Sequence, residues 1–271
     1  MIDVFREHIF HIIIIGCGGT GGNLATRLCQ FLVGVPKDRY LVTLVDEDRV
    51  SASNLSRQPY LYEDINKCKS EALASLLSQS LELNIRAVPR YINSWEDIDQ
   101  YVKTSHELYN DERWCGKFPV PVICGCVDNM HARKCMHEYF EKTDTVIYID
   151  SGNEFSYGEV VFGAKKKGKV LSPDKTFYFP DMFDEADLTP RSEESCEDLN
   201  SSNDRSLSQH LCTNLTASCV MLTGLCNLFS SGRFPTGIVH FDTFNFFMRQ
   251  DEYVPPREEL KSVNVLGGED K

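Results

Sequence analysis

The stretch Ile9-Phe10-His11-Ile12-Ile13-Ile14-Ile15-Gly16-Cys17-Gly18-Gly19-Thr20-Gly21 decides how this chain is read. Residues 9–15 form a short, mostly β-branched apolar run, interrupted only by His11 and ended by glycine. Such a run reads as a strand buried on both faces of a parallel sheet. The glycines fit G-x-G-x-x-G. Small residues there permit a tight turn, bring backbone N–H groups close to phosphate and let a helix pack on the sheet. Alone, the motif suits an NAD- or FAD-dependent enzyme equally well, and a plain strand–helix turn is its bland alternative.

Downstream of the turn, residues 23–33 carry helical spacing and residues 40–45 a second buried strand. Residues 65–81 read as a helix whose period is set by Ala72, Leu73, Leu76 and Leu77. Residues 86–91 read as a strand and 95–104 as a short helix. A strand at 120–126 has Pro121 near its start, where proline is tolerated. A helix at 130–142 and a strand at 145–150 follow. This alternation predicts an α/β fold: a doubly wound, mostly parallel, Rossmann-like sheet with helices on both faces. Residues 158–163 and 237–249 read as an antiparallel C-terminal extension, and 206–229 as a long, mostly apolar helix. Residues 105–117 read as a surface insertion. Residues 181–205, polar and rich in Asp and Glu, read as a mobile crossover loop inside a single domain spanning 1–250. Residues 251–271 form a polar tail containing Pro255-Pro256.

Composition narrows the function classes. The 271 residues are 42% apolar, enough for a real core, and carry a net charge of −12. An acidic surface repels phosphate backbones, which argues against general nucleic-acid binding. No run of about 20 apolar residues is present and the N-terminus lacks a signal-peptide pattern, so no membrane association is expected. Eleven cysteines, odd in number and scattered through apolar runs, read as reduced thiols of a cytoplasmic protein. No Cys-x-x-Cys pair occurs, so no zinc is expected. Cys212, Cys219 and Cys226 are seven residues apart and share a helix face, which is expected to be buried.

Four elements carry chemistry. The glycine loop is the first. The second is Asp46-Glu47-Asp48-Arg49-Val50 followed by Asn54-Leu55-Ser56-Arg57-Gln58. An acid at the end of the second strand can bind ribose hydroxyls. A dehydrogenase needs little more, whereas a guanidinium aimed at phosphates makes sense when a phosphoanhydride is broken. The third is Lys69, which can reach phosphate as a point charge from the start of its helix. The fourth is Asp128 in Cys126-Val127-Asp128-Asn129, at the C-terminal edge of a strand, suited to hold Mg²⁺ beside a triphosphate. Individually, Lys69 reads equally as a solvated charge and Asp128 as a helix cap. Their order on alternating elements favours the functional reading.

These motifs resemble the ThiF/MoeB/HesA superfamily, which includes the adenylation domains of ubiquitin-activating enzymes. The resemblance runs over roughly residues 9 to 250. It implies that Gly16, Gly18, Gly19 and Gly21 lie against the nucleotide phosphates and that Asp46 binds ribose. It places Asn54 and Arg57 on the phosphate side, with Lys69 (Lys67 as the alternative) as the family lysine and Asp128 as the Mg²⁺-linked acid. Asp150-Ser151-Gly152-Asn153 resembles the family's Asp-x-Gly segment and points to small bacterial members from plasmid or defence gene clusters, with antiviral defence as a setting. The chain departs from many members in lacking their paired Cys-x-x-Cys zinc sites. It also lacks most of the N-terminal arm that supplies an arginine to a partner subunit, leaving only Arg6.

The activity implied is ATP-dependent adenylation of the C-terminal carboxylate of a small ubiquitin-like or sulfur-carrier protein ending in glycine. Transfer to a cysteine thioester is an optional second step. Cys196, in the crossover loop, lies where the family places its catalytic cysteine, although Glu193, Glu194, Glu197 and Asp198 oppose thiolate formation. A conjugating enzyme is an implied further partner, and a symmetric homodimer is expected by analogy. The alternatives are adenylation of a short peptide without thioester, a silent scaffold subunit of the same fold, and a nicotinamide-dependent oxidoreductase. The set Asp46, Asn54, Arg57, Lys69 and Asp128 argues against the last two.

Overall fold

A two-residue strand, β1 (Ile2–Asp3), precedes the apolar run, which folds as β2 (Phe10–Ile15) with every residue buried. The order continues with α1 (Gly19–Leu32), β3 (Tyr40–Val45), α2 (Lys69–Leu81), β4 (Ile85–Val88), α3 (Trp95–Leu108), β5 (Val120–Gly125), α4 (Met130–Lys142) and β6 (Val146–Asn153). The C-terminal part adds β7 (Tyr157–Lys166), β8 (Lys169–Ser172), the short helix α5 (Lys175–Tyr178), α6 (Leu211–Ser231), β9 (Arg233–Phe234), β10 (Gly237–Asp242) and β11 (Phe247–Asp251). The computed structural model describes residues 2–3, 5, 8–108, 118–184, 186, 188–190 and 211–255.

The main sheet runs β11-β10-β7-β6-β5-β2-β3-β4, with β8 on β7. Strands β4, β3, β2, β5 and β6 are mutually parallel, and β6–β7, β7–β10 and β10–β11 pair antiparallel. The fold is therefore the doubly wound, Rossmann-like sheet with an antiparallel extension. Period-2 alternation along β2 divides the core. Phe10, Ile12 and Ile14 pack with Leu24, Leu28, Leu73 and Leu225, contributed by α1, α2 and α6. Ile13 and Ile15 pack on the other face with Ile98, Met136, Tyr139 and Phe140 from α3 and α4. His11, the polar interruption, is fully buried and its Nε2 lies 2.8 Å from Thr43 Oγ1 on the neighbouring strand. Strand order reverses at β2, flanked by β3 on one side and β5 on the other. That switch point is where open α/β sheets bind ligands.

Several elements depart from expectation. Helix α1 starts at Gly19 rather than residue 23, because the glycine loop itself turns into the helix. Helix α2 starts at Lys69 rather than 65: a 3-10 turn over Tyr62–Asp64 and a left-handed Asn66 (φ 70°) occupy the intervening residues. The segment 237–249 is a hairpin, β10–β11, rather than one strand. Cys212 and Cys219 are exposed and Cys226 half-buried, so the cysteine face of α6 points outward, contrary to expectation. The buried face of that helix is instead built from Thr213, Asn214, Ala217, Met221, Gly224 and Leu225. The expectation about apolar length is also corrected. Helix α6 is long and apolar enough to cross a membrane by length and composition, with a window of mean hydropathy 1.3. It packs against α1, β6 and β7 and 44% of that window is buried.

Candidate active site

A cavity of about 730 Å³ opens at the switch point. Its walls include Gly16, Gly18, Gly19, Asp46, Asn54, Arg57, Lys69 and Asp128, residues that span more than a hundred positions of sequence. The loop between β2 and α1 is shaped by contact. Gly16 adopts φ +89°, and a Cβ there would stand 2.6 Å from Cys126 O. Gly21 does not line the cavity; it lies beneath, where a Cβ would meet Gly16 O at 1.8 Å. Gly21 lets α1 approach the end of β2, and the first turn of α1 carries no side-chain cap, so its N–H groups remain a ready anion site.

Asp46 ends β3 and is held from both sides. Its Oδ2 accepts from Cys17 N (2.6 Å) and its Oδ1 from Asp48 N (2.8 Å). Burial, then the charge of Asp48, push its carboxyl up to about 6, against the pull of Lys69 and the two N–H donors. Lys69 Nζ donates to Asp48 Oδ2 at 2.9 Å with only 9% of its side chain exposed. Burial opposes its charge, but Asp46, Asp48 and Asp128 outweigh that and hold the ammonium above the ordinary lysine range. Lys67 instead pairs with Asp64 at 3.0 Å, its side chain 54% exposed, and does not line the cavity.

Asn54 closes the turn before Arg57: its Oδ1 accepts from Ser51 N at 3.0 Å. Its backbone carbonyl accepts from Arg57 N (3.1 Å) and Gln58 N (2.9 Å), which turns the Arg57 side into the cavity wall. Asp128 follows β5, exposed on the opposite wall. Arg133 of α4 ties that wall together by donating to Val127 O and Ser151 O, both at 2.8 Å, with Asp150 at 3.5 Å. Cys196, Arg6, Arg191 and Arg205 lie outside the described residues.

Sequence reading missed several participants. Gln58 is buried on the cavity wall with its Oε1 lacking a hydrogen-bond partner among the described residues. Its place at the end of the Asn54–Gln58 stretch carries no signal of a role of its own. Arg90 and Tyr91 follow β4 into the cavity, and Tyr91 is braced by its backbone N–H donating to Glu47 Oε2 (3.0 Å) and by its hydroxyl donating to Asp48. Asn153 Nδ2 donates to Asn214 Oδ1 at 2.8 Å, and a Cβ at Gly19 would collide with Asn214 at 2.2 Å. Asn214 Nδ2 is buried without a partner among the described residues. No motif signals Asn214, because it reaches the loop only through the packing of α6 on α1.

A nucleotide triphosphate fits this arrangement: an anion-accepting helix start, an acid for ribose, and cations on the phosphate side. Mg²⁺ would also fit, with Asp128 the exposed carboxylate on the wall that would hold it. Among the described residues no group of three or more His, Cys, Asp or Glu gathers as a cage. Mg²⁺ characteristically takes one or two carboxylates and completes its shell with phosphate oxygens and water.

The sequence model of the ThiF family matches residues 6–229. Over 130 residues the chain is 29% identical to Ubiquitin-like modifier-activating enzyme 6 of Homo sapiens, covering 46% of this chain and 11% of that protein. Among solved structures, PaaA superposes with TM-score 0.61 at 16% identity, covering 90% of this chain and 64% of that one. E. coli MccB with ATP superposes with TM-score 0.61 at 14% identity, covering 92% and 65%. MccB, described as a Microcin C7 biosynthetic enzyme, has also been solved with N-formylated MccA. The chain spans less than two thirds of the length of each of these relatives. With the family match extending over most of its length and the fold shared with these structures, the chain belongs to the ThiF family.

Proposed function

We propose that this protein uses ATP to adenylate the C-terminal carboxylate of a small ubiquitin-like or sulfur-carrier protein. The observation that carries the reading is the gathering of Asp46, Arg57, Lys69 and Asp128 around one cavity with the glycine loop. A hydride-transfer site has no use for the cations and the second acid.

A carboxylate is a poor acyl donor because oxide is a poor leaving group. In the proposed step, a carboxylate oxygen attacks the α-phosphorus of ATP. The bond from that phosphorus to the bridging oxygen breaks and pyrophosphate departs with the electron pair. The attacking group is already ionised, so no protein base is required. Asp46 and the loop N–H groups position the nucleotide. Arg57 and Lys69 act as fixed positive charges where negative charge accumulates, in a site that needs no reorganisation to receive it. Lys69 is suited to this because neighbouring acids keep it protonated. Mg²⁺, when held by Asp128, would supply further neutralisation of phosphate charge.

A second step remains part of the proposal: transfer of the acyl group to Cys196 as a thioester, with AMP leaving. The same reading carries a symmetric homodimer; a monomeric mass by light scattering in fully active protein would refute that part. Adenylation of a short peptide without thioester is the second reading, supported by the fold shared with MccB, which has been solved with MccA. The deciding experiment is ATP–pyrophosphate exchange. Exchange that appears only when a carrier with a free C-terminal carboxylate is added supports the reading. Absence of exchange with every carrier and peptide tried would reject it.

A further inference from the structure

Asp150-Ser151-Gly152-Asn153 closes β6 at the C-terminal edge of the parallel sheet, beside β5. Packing accounts for its first three residues. Asp150 and Ser151 are buried, and Ser151 O accepts from Arg133. At Gly152 a Cβ would stand 2.1 Å from Glu159 Oε1 and 2.7 Å from Lys175 Nζ. Asn153 differs, being half-buried and set in the walls of two cavities. In the nucleotide cavity it shares the wall with Gly19 and Thr20. The second cavity, of about 720 Å³, opens beside the first. Among the described residues, the two walls have only Val127, Asp128 and Asn153 in common. Val127 is apolar and a carboxylate accepts, so of the three only Asn153 carries a side-chain donor for an anion.

The Asn153 side chain is held in place. Its Nδ2 donates to Asn214 Oδ1 at 2.8 Å, and the Thr20 hydroxyl lies 3.4 Å from Oδ1 of both asparagines. One turn along α6, Ser218 Oγ donates to Asn214 O (2.6 Å) and lies 3.0 Å from Thr20 O. Three elements, α1, β6 and α6, thus converge on one amide. An amide carries two N–H donors, so the bond to Asn214 fixes the group without exhausting its capacity to donate. Asn214 itself is fully buried, and its Nδ2 has no partner among the described residues. A buried donor left unpaired costs stability, a cost that an apolar side chain in the same place would avoid. The grip of its Oδ1 on Asn153 accounts for an asparagine there.

We propose that Asn153 is a further catalytic residue of adenylation, donating from its amide to the oxygens that meet at the α-phosphorus, and that Asn214 is the residue that positions it. The inference rests on the adenylation reading above. In that step a carboxylate oxygen bonds the α-phosphorus, the bond to the bridging oxygen breaks and pyrophosphate leaves with the electron pair. Two anions are thereby forced together at one centre. An ammonium at the junction would also pair with the free carboxylate and stabilise the ground state, which brings no gain in kcat. A neutral amide answers the crowded oxygens without that ion pair and gives up no proton. Such a donor is effective when it is fixed before the substrate arrives, which is what Asn214 and Thr20 provide.

The test is pyrophosphate exchange with ubiquitin-fold proteins ending in Gly-Gly, and with synthetic peptides of their C-termini, as substrates. Asn153→Ala should lower kcat at least about tenfold, as removal of a transition-state donor does. KM for ATP should stay within about twofold of the parent, since the contact forms in the transition state. Asn153→Asp keeps the shape and can still bond Asn214 through that residue's amide N–H, so it protects the fold while replacing the donor by an acceptor. Its kcat should fall at least as far. Asn214→Ala should lower kcat in the parent but change it less than about twofold in the Asn153→Ala background, because a positioning residue has nothing left to position. A purely structural role would make the two losses independent. Thermal unfolding checks that each variant is folded at the assay temperature. Parental kcat in folded Asn153→Asp, or a loss confined to KM for ATP, overturns the catalytic role. Equal losses from Asn214→Ala in both backgrounds overturn the positioning role. Absence of exchange in the parent with every protein and peptide rejects the adenylation reading itself, and the proposal with it; exchange that survives both Asn153 variants rejects the proposal alone.

Discussion

Replacing Gly21 and Gly18 separately by alanine distinguishes the packing role of the glycine loop from its binding role. A Cβ at Gly21 would lie 1.8 Å from Gly16 O and 2.9 Å from Cys126 Cβ. The first obstacle is backbone, so α1 must shift away from the end of β2. Overpacking of this kind costs typically 1–3 kcal/mol, and the depth of the clash places it near ~3 kcal/mol. Alanine in a helix interior returns about 1 kcal/mol relative to glycine. The net loss of about 2 kcal/mol corresponds to a Tm lowered by roughly 4–8 °C in a chain of this size. Gly18 differs: its φ is −76° and the nearest atom to a Cβ is Gln58 Nε2 at 3.9 Å. Alanine fits there, so the Tm of Gly18→Ala should stay within about 2 °C of the parent. Its methyl would stand in the cavity instead. Parent protein at an ATP concentration about a hundred times Kd should gain about 2.7 kcal/mol. Gly18→Ala should lose about half of that gain, equivalent to a tenfold loss of affinity. Thermal unfolding with and without Mg·ATP reads both effects. Equal Tm losses in the two variants, or a full ATP-induced gain in Gly18→Ala, would refute the assignment of Gly21 to packing and Gly18 to the nucleotide.

Asp128→Ala should fold normally and abolish pyrophosphate exchange; unchanged exchange would remove its proposed metal role. Arg57→Ala and Lys69→Ala should each lower kcat at least tenfold, about 1.4 kcal/mol, with a smaller change in KM for ATP, if their charges act on the transition state. A change confined to KM would reduce them to binding residues. Asp46 ionises near pH 6 in the folded chain, raised first by burial and then by Asp48. Between about pH 4 and 6 the folded state therefore holds a proton that the unfolded chain has released. This group thus favours folding as pH falls through 6 and loses that contribution as pH rises through it. Nucleotide binding through an ionised Asp46 runs oppositely, so KM for ATP should rise below pH 6, and the rise should be absent in Asp46→Asn. Cys196→Ala should keep pyrophosphate exchange and lose any carrier adduct cleaved by reducing agent; an adduct that survives in this variant would place the thioester elsewhere.

Much of the fold was legible along the chain because its signals are local. The run at Ile12–Ile15 is β-branched and ends in glycine, which fixes a buried strand and a turn without knowledge of neighbours. The helix at Met130–Lys142 was bounded correctly, since Asn129 caps it by accepting from Ala132 N at 2.8 Å. Lys69 and Asp128 could be proposed because each sits at the end of an element whose direction the alternation implies. Lys69 is the preferred reading along the chain, with Lys67 as its alternative, because both are lysines two positions apart. Where α2 begins separates them: the left-handed Asn66 delays the helix and leaves Lys67 paired with Asp64.

Periodicity reports which residues share a face but not what that face meets. The spacing of Cys212, Cys219 and Cys226 correctly placed them together on α6, yet the helix turns Ala217, Met221 and Leu225 inward and leaves the cysteines outside. The same limit hid Asn214, which acquires its place beside Gly19 only when α6 packs on α1. It also hid the turn inside residues 237–249, where Phe244 and Phe246 stand in solvent between β10 and β11. The sequence by itself determined the α/β alternation, the glycine loop and the order of the charged residues, since these follow from local sterics and chain direction. The tertiary structure alone decided that Asp46, Arg57, Lys69 and Asp128 face one cavity and that a second cavity opens beside it, because convergence depends on strand order, and strand order is set by the packing of distant segments.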